Sequence, residues 1–242
     1  MNIAVTASTR GSSRFLEHLR TLVGTGGAGR VGFRAQAAAP RRHVGLVAAF
    51  QDVDVAAMRR AVQAGADALE VAVSDASALR ALIEALGKLE APVGIAVAAE
   101  AGDDLARTAT EGGIDWIRLA LDASLSSLAW ERPARFLALP YDIDLRVTGA
   151  LNGPFADAVV VTAPDDEPWT FQIAQGLRLR TFSEVIKKPL LLQEQADAPR
   201  LSAAVYEALG VAAVIVPADG PAAADRIAGY LGRLHHAAPD KA

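Results

Sequence analysis

Eight short turns along this chain each run straight into an apolar strand, and they form two interleaved series. In the first, a small or acidic residue ends the turn: residues 65–71 (Gly-Ala-Asp-Ala-Leu-Glu-Val), 113–119 (Gly-Ile-Asp-Trp-Ile-Arg-Leu), 155–161 (Phe-Ala-Asp-Ala-Val-Val-Val) and 210–216 (Gly-Val-Ala-Ala-Val-Ile-Val). In the second, the turn carries a basic residue or a proline: residues 42–47 (Arg-His-Val-Gly-Leu-Val), 91–96 (Ala-Pro-Val-Gly-Ile-Ala), 132–137 (Arg-Pro-Ala-Arg-Phe-Leu) and 188–192 (Lys-Pro-Leu-Leu-Leu). Helix-like stretches separate most of the eight. A strand–helix unit repeated eight times predicts a (β/α)8 barrel, and the 242 residues lie near the length of about 250 typical of one.

Strands are expected at 44–50, 68–73, 93–99, 116–121, 135–139, 158–162, 190–194 and 213–217. The connections from the fourth to the sixth strand are short or weakly helical, so the barrel should be irregular there. Residues 164–188 are ambiguous, with Trp169-Thr170-Phe171-Gln172 strand-like and 181–186 helical. No linker-like break interrupts residues 43–242, which read as one barrel domain behind an N-terminal extension, residues 1–42. In that extension residues 3–7 suit a strand, and Ser12 or Ser13 suits the cap of a helix over 14–23.

The extension holds seven arginines against one acid, Glu17, a net of +6, whereas the rest of the chain carries a net of −10. Attraction between the two should lay part of residues 1–42 against the acidic body. On this reading residues 31–42 cover the end of the barrel where strands begin, and the 14–23 helix travels further. An acidic body whose basic arm lacks interleaved aromatics is not a nucleic-acid surface. No apolar run approaches the roughly 20 residues that span a bilayer. Cysteine is absent, which removes disulfides and thiolate chemistry and fits a cytoplasmic protein. Association into an oligomer stays open.

Chemistry in such a barrel belongs at the C-terminal ends of the strands. Lys88, Lys187 and Lys188 precede strands, Lys241 is in the tail, and no histidine follows a strand. An imine-forming lysine or a histidine base at the mouth is therefore not expected, which leaves carboxylates. Glu100, Asp122 and Glu194 stand at strand ends and are oxygen ligands suited to Mg²⁺ or another hard cation. Glu100 and Asp122 equally suit a proton shuttle, while the many Asp residues at the mouth suit helix caps. Alternation within strands turns Glu70 and Arg118 into the barrel, where they should pair, and Arg118 would orient an anionic group. Phosphate is disfavoured after the seventh and eighth strands, because those loops hold Glu194, Asp197 and Asp219 beside Pro217 and Pro221.

The Gly-Ala-Asp-Ala-Leu-Glu-Val segment and residues 209–216 resemble the strand lead-ins of aldolase-type barrels, and the rhythm extends that resemblance over about residues 44–234. Residues 65–71 also resemble the second strand of type I dehydroquinate dehydratases. That family implies a catalytic lysine and histidine, and neither stands at the matching place in this chain. Two functions remain. One is a lyase or isomerase that handles a small oxygen-rich metabolite through Glu70, Glu100, Asp122 and Arg118, with or without a divalent cation. The other is a barrel that has lost its chemistry and acts as a binding or scaffold protein.

Overall fold

The computed structural model describes residues 13–24, 44–87, 89–97, 102–163 and 168–234. Eight parallel strands close into a barrel in sequence order: β1 (Gly45–Phe50), β2 (Ala68–Val73), β3 (Val93–Val97), β4 (Trp116–Leu119), β5 (Ala134–Pro140), β6 (Ala158–Thr162), β7 (Leu190–Gln193) and β8 (Ala213–Pro217). The expected fold and all eight strand positions are therefore present. Around the barrel lie α2 (Val55–Gln63), α3 (Ala76–Leu86), α4 (Asp103–Glu111), α6 (Ile173–Val185), α7 (Ala203–Leu209) and α8 (Ala223–Leu234). The irregular sector is also where it was expected. Only a 3-10 turn, Leu125–Ala129, links β4 to β5, and a four-residue α5 (Leu145–Thr148) with a second 3-10 turn, Gly149–Asn152, links β5 to β6. No helix among the described residues is long and apolar enough to cross a membrane.

Period-two alternation sorts the strand residues as expected. Leu69, Val71, Val73, Val93, Ile95, Ile117 and Leu119 pack outward against the helices. Ala68, Trp116, Phe136, Val160, Leu191 and Ile215 form a separate inner cluster. The alternation does not carry on to Leu121. Strand β4 stops at Leu119, and Leu121 is exposed on the turn beyond it. Strand β3 carries glycine for a steric reason. A Cβ on Gly94 would lie 1.9 Å from Cε2 of Trp116, whose indole covers that backbone inside the barrel.

The bottom of the barrel is closed from below by α1 (Arg14–Gly24). Ser13 caps it, its Oγ accepting from Leu16 N at 3.1 Å. The helix inserts Phe15 beneath the strands. Phe15 stacks on Trp116 at 5.0 Å between centroids, and Trp116 stacks on Phe136 at 5.1 Å. Phe15 and Leu19 are completely buried. At the helix N-terminus, Asp115 accepts hydrogen bonds from Ser13 Oγ (2.6 Å), Arg14 N (2.8 Å) and Phe15 N (2.9 Å), an anion placed where unpaired helical N–H groups favour one.

Charge has a smaller part in this docking than the sequence suggested. Ionic contacts of α1 among the described residues include Arg14–Asp115 at 3.9 Å, with Arg14 more than half exposed, and His18–Asp67 at 3.3 Å. Exposed pairs of this kind contribute at most about 1 kcal/mol, whereas burying one phenylalanine contributes about 1.5–3 kcal/mol. The 14–24 helix, expected to travel further, packs at the bottom, and the expectations for residues 3–7 and 31–42 lie outside the described residues.

The recurring acid of the first lead-in series has a defined job. Asp67 accepts from Leu46 N at 2.7 Å, and Asp157 accepts from Arg135 N at 2.9 Å, so each ties its strand's lead-in turn to the backbone of the strand before it. Asp115 occupies the equivalent place in its turn and instead takes the end of α1.

Candidate functional site

At the mouth, strand parity brings four polar side chains to one cleft. Along the backbone ladders Glu70 is level with Gly94 and Trp116, and Arg118 is level with Ala96 and Ala72, one inward-facing step nearer the mouth. Glycine and alanine at the intervening positions leave room for the two long side chains to meet. Arg118 Nη2 lies 3.1 Å from Glu70 Oε1, with Glu70 1% and Arg118 15% exposed. The expected pair is thus formed. Trp116 Nε1 donates to Glu70 Oε2 at 3.3 Å, and Arg118 Nη1 donates to Gln193 Oε1. Among the described residues Glu70 Oε1 accepts no hydrogen bond, so its ionic contact with Arg118 is what compensates it.

Above this group is a narrow cleft of ≈ 30 Å³, open to solvent and bordered by Gln51, Glu70, Ala72, Ala96, Arg118 and Gln193. It adjoins a wider opening of ≈ 480 Å³ toward Asp52, Val53, Ser74 and Ala78, and Gln51, Ala72 and Ala96 border both. Asp219 closes the seam between β8 and β1 by accepting from Gln51 N at 2.7 Å.

The other anticipated residues are not gathered here. Glu100 lies outside the described residues. Asp122 is exposed on the turn after β4. Glu194 borders the cleft but belongs, by parity, to the outward face of β7, and it is 1% exposed. Its two oxygens accept from Tyr206 Oη on α7 and, at 2.5 Å, from Tyr230 Oη on α8. Among the described residues no group of three or more His, Asp or Glu stands together to hold a metal ion. The cap reading fits other acids. Asp75 caps α3 by accepting from Ser77 N and Ala78 N, and Asp54, rather than Asp52, caps α2.

Burial pushes the Glu194 carboxyl above the ordinary carboxylate value, a rise moderated by the two tyrosine hydroxyls and by the charge of Arg200. Burial and the neighbouring carboxylate push both tyrosines up as well, so their hydroxyls stay protonated and donate. A carboxyl with a raised folded value binds its proton more tightly folded than unfolded. Its contribution to stability is therefore largest at low pH and falls as pH rises above 4.5, its ordinary value. Glu194→Gln is expected to flatten that fall. The check is the urea midpoint of both proteins across the acidic-to-neutral range. Parallel curves for parent and variant would contradict it.

Two residues that the sequence reading passed over complete the site. Gln193, not Glu194, is the inward-facing residue at the end of β7, and alternation from the inward Leu191 would have found it. Trp169 holds Gln193 in place, its Nε1 donating to Gln193 O at 2.7 Å. Residues 169–172, strand-like within an ambiguous stretch of sequence, form instead a loop that leads into α6. Trp169 N donates to Gln195 Oε1 at 2.8 Å, Phe171 stacks on the Trp169 ring at 5.6 Å, and Tyr141 meets that ring edge-on at 5.4 Å. Phe171 takes a positive φ of 50°, strained for an aromatic residue, and the stack accompanies that strain. From α6, Arg178 fastens the loop after β5 by donating to Tyr141 O and Ile143 O, both at 2.6 Å.

No family model matches the chain, and no curated protein does. Solved structures do match in fold. The tryptophan synthase alpha subunit of Legionella pneumophila superposes with a TM-score of 0.63 at 15% identity, over 79% of this chain and 92% of that one. Mycobacterium tuberculosis tryptophan synthase gives a TM-score of 0.59 at 18% identity, over 79% and 91%. A mutant alpha subunit from Pyrococcus furiosus gives 0.58 at 11% identity, over 78% and 97%. At these identities the likeness is one of fold: this chain is a (β/α)8 barrel built like the alpha subunits of tryptophan synthase.

Proposed function

We propose that this barrel is a lyase or isomerase that moves protons on a small oxygen-rich molecule held in the mouth cleft. The observation that carries the reading is Glu70: a buried carboxylate beneath the cleft with one oxygen that accepts no hydrogen bond. Buried polar atoms are ordinarily satisfied, and an exception calls for a reason. Here Glu70 takes a proton from a carbon beside a carbonyl. Arg118, whose Nη1 carries a second N–H beyond the one given to Gln193, donates to the substrate oxygen as negative charge grows on it. Where the reacting carbon bears a hydroxyl, passing that hydroxyl's proton to the former carbonyl oxygen and returning the carbon-bound proton to the former carbonyl carbon completes an isomerisation. Loss of a hydroxyl from the carbon on the other side, leaving as water with the proton held by Glu70, completes an elimination. Asp122 and Glu194 have no step in this reading. The fold of the tryptophan synthase alpha subunits, parts of an enzyme, supports a catalytic barrel by analogy only.

A second reading, a binding barrel without turnover, is favoured by one observation: both Arg118 and Glu70 are engaged with the protein itself, and little of Glu70 reaches solvent. Proton exchange separates the two. Small hydroxy-aldehydes and hydroxy-ketones incubated with the protein in D₂O are expected to take up deuterium beside the carbonyl about 100-fold faster than in buffer, by the ordinary worth of a positioned base. Glu70→Gln should abolish the effect. Ligand binding without any exchange by the parent protein would establish the second reading.

A further inference from the structure

We infer that the mouth cleft selects a neutral, hydroxyl-bearing molecule and discriminates against anions; this rests on the cleft being the ligand site. Arg118 is the single cation among the described residues bordering either opening. Its charge is matched at 3.1 Å by Glu70, a residue with almost no access to water. A carboxylate or phosphate that claimed Arg118 would compete with Glu70 for it. The loser would be a buried carboxylate whose Oε1 has no hydrogen bond to fall back on.

The surroundings do not offset that loss. Asp52 borders the wider opening and Asp219 is bonded to Gln51 N at its edge, so the added field is negative. The remaining polar groups suit a neutral partner. Gln51 and Gln193 offer carboxamides, which donate and accept without charge, and the Gln193 oxygen is already turned to Arg118. A hydroxyl can accept from a spare N–H of Arg118, which reaches the cleft, and bond to either carboxamide, leaving the ion pair intact. The room for a ligand is in the adjoining opening, which at ≈ 480 Å³ is within the range for small-ligand pockets and shares Gln51, Ala72 and Ala96 with the cleft.

The test compares matched probes by ligand-observed NMR titration of the full chain: dihydroxyacetone against dihydroxyacetone phosphate, glyceraldehyde against glycerate, and ribose against ribose 5-phosphate. Each neutral member is expected to bind at least about tenfold more tightly than its anionic partner at low ionic strength, where an unscreened charge penalty is greatest. Glu70→Gln frees Arg118 from its counter-charge and should reverse the order within each pair. A second measurement stands if that variant does not fold. Affinity of the parent protein for the neutral probes should be insensitive to salt. Tighter binding of the anionic members, weakening as salt is added, overturns the inference, and so does failure of all six probes to bind at millimolar concentration. Neutral selectivity without deuterium exchange would sink the catalytic reading alone, and exchange with anionic selectivity would sink this one alone.

Discussion

Phe15→Ala is expected to destabilise the protein by about 3–5 kcal/mol, the usual cost of truncating a fully buried phenylalanine. The ring is the lowest member of a stack with Trp116 and Phe136, and nothing else among the described residues of α1 can fill the space it leaves. Removing it also deprives Trp116 of the partner that covers its lower face. Arg14→Ala should change stability by less than about 1 kcal/mol, because Arg14 is exposed and its charge lies 3.9 Å from Asp115. Chemical denaturation of both variants at low and high salt makes the comparison. Equal losses for the two, disappearing in high salt, would show that the helix is held by charge rather than by burial.

Arg118→Met carries a comparable expected loss, about 3–5 kcal/mol, by leaving Glu70 buried without its counter-charge. The double variant Glu70→Gln with Arg118→Met should recover most of it, since the neutral amide can still accept from Trp116 Nε1 and no lone charge remains. Equilibrium unfolding of the two singles and the double gives the coupling between them directly. An Arg118→Met protein as stable as its parent would mean that the guanidinium belongs to the solvent and that Glu70 needs no partner.

The barrel was legible because each lead-in turn announces its strand, and in two of the three turns that carry an acid that residue ties the turn to the preceding strand. Asp67 and Asp157 bond the backbone of the strand before them. The Glu70–Arg118 pair was legible because parity alone decides which strand residues turn inward. Parity also explains the error at β7. Glu194 drew attention as a carboxylate at a strand end, yet the inward Leu191 requires Gln193, not Glu194, to face the cleft. The place of α1 was not legible. Its sequence shows an amphipathic helix with a basic tilt, but its contacts are with Trp116 and Phe136, about a hundred or more residues away, and ring stacking at that separation leaves no local signature. Trp169 was misread for a similar reason. An aromatic run beside threonine has strand character by composition, whereas its structure is set by a hydrogen bond to Gln193 O and by its neighbours' rings.

The stacked aromatic floor has a consequence for traffic. With Phe15, Trp116 and Phe136 filling the lower barrel, the described interior is a blind well and not a passage. Whatever enters must come and go by the same doorway, past Gln51 and the loop that carries Trp169. Arrival and departure then exclude one another, so any two molecules that use this cleft would bind in competition, and one already seated would have to leave before another could enter.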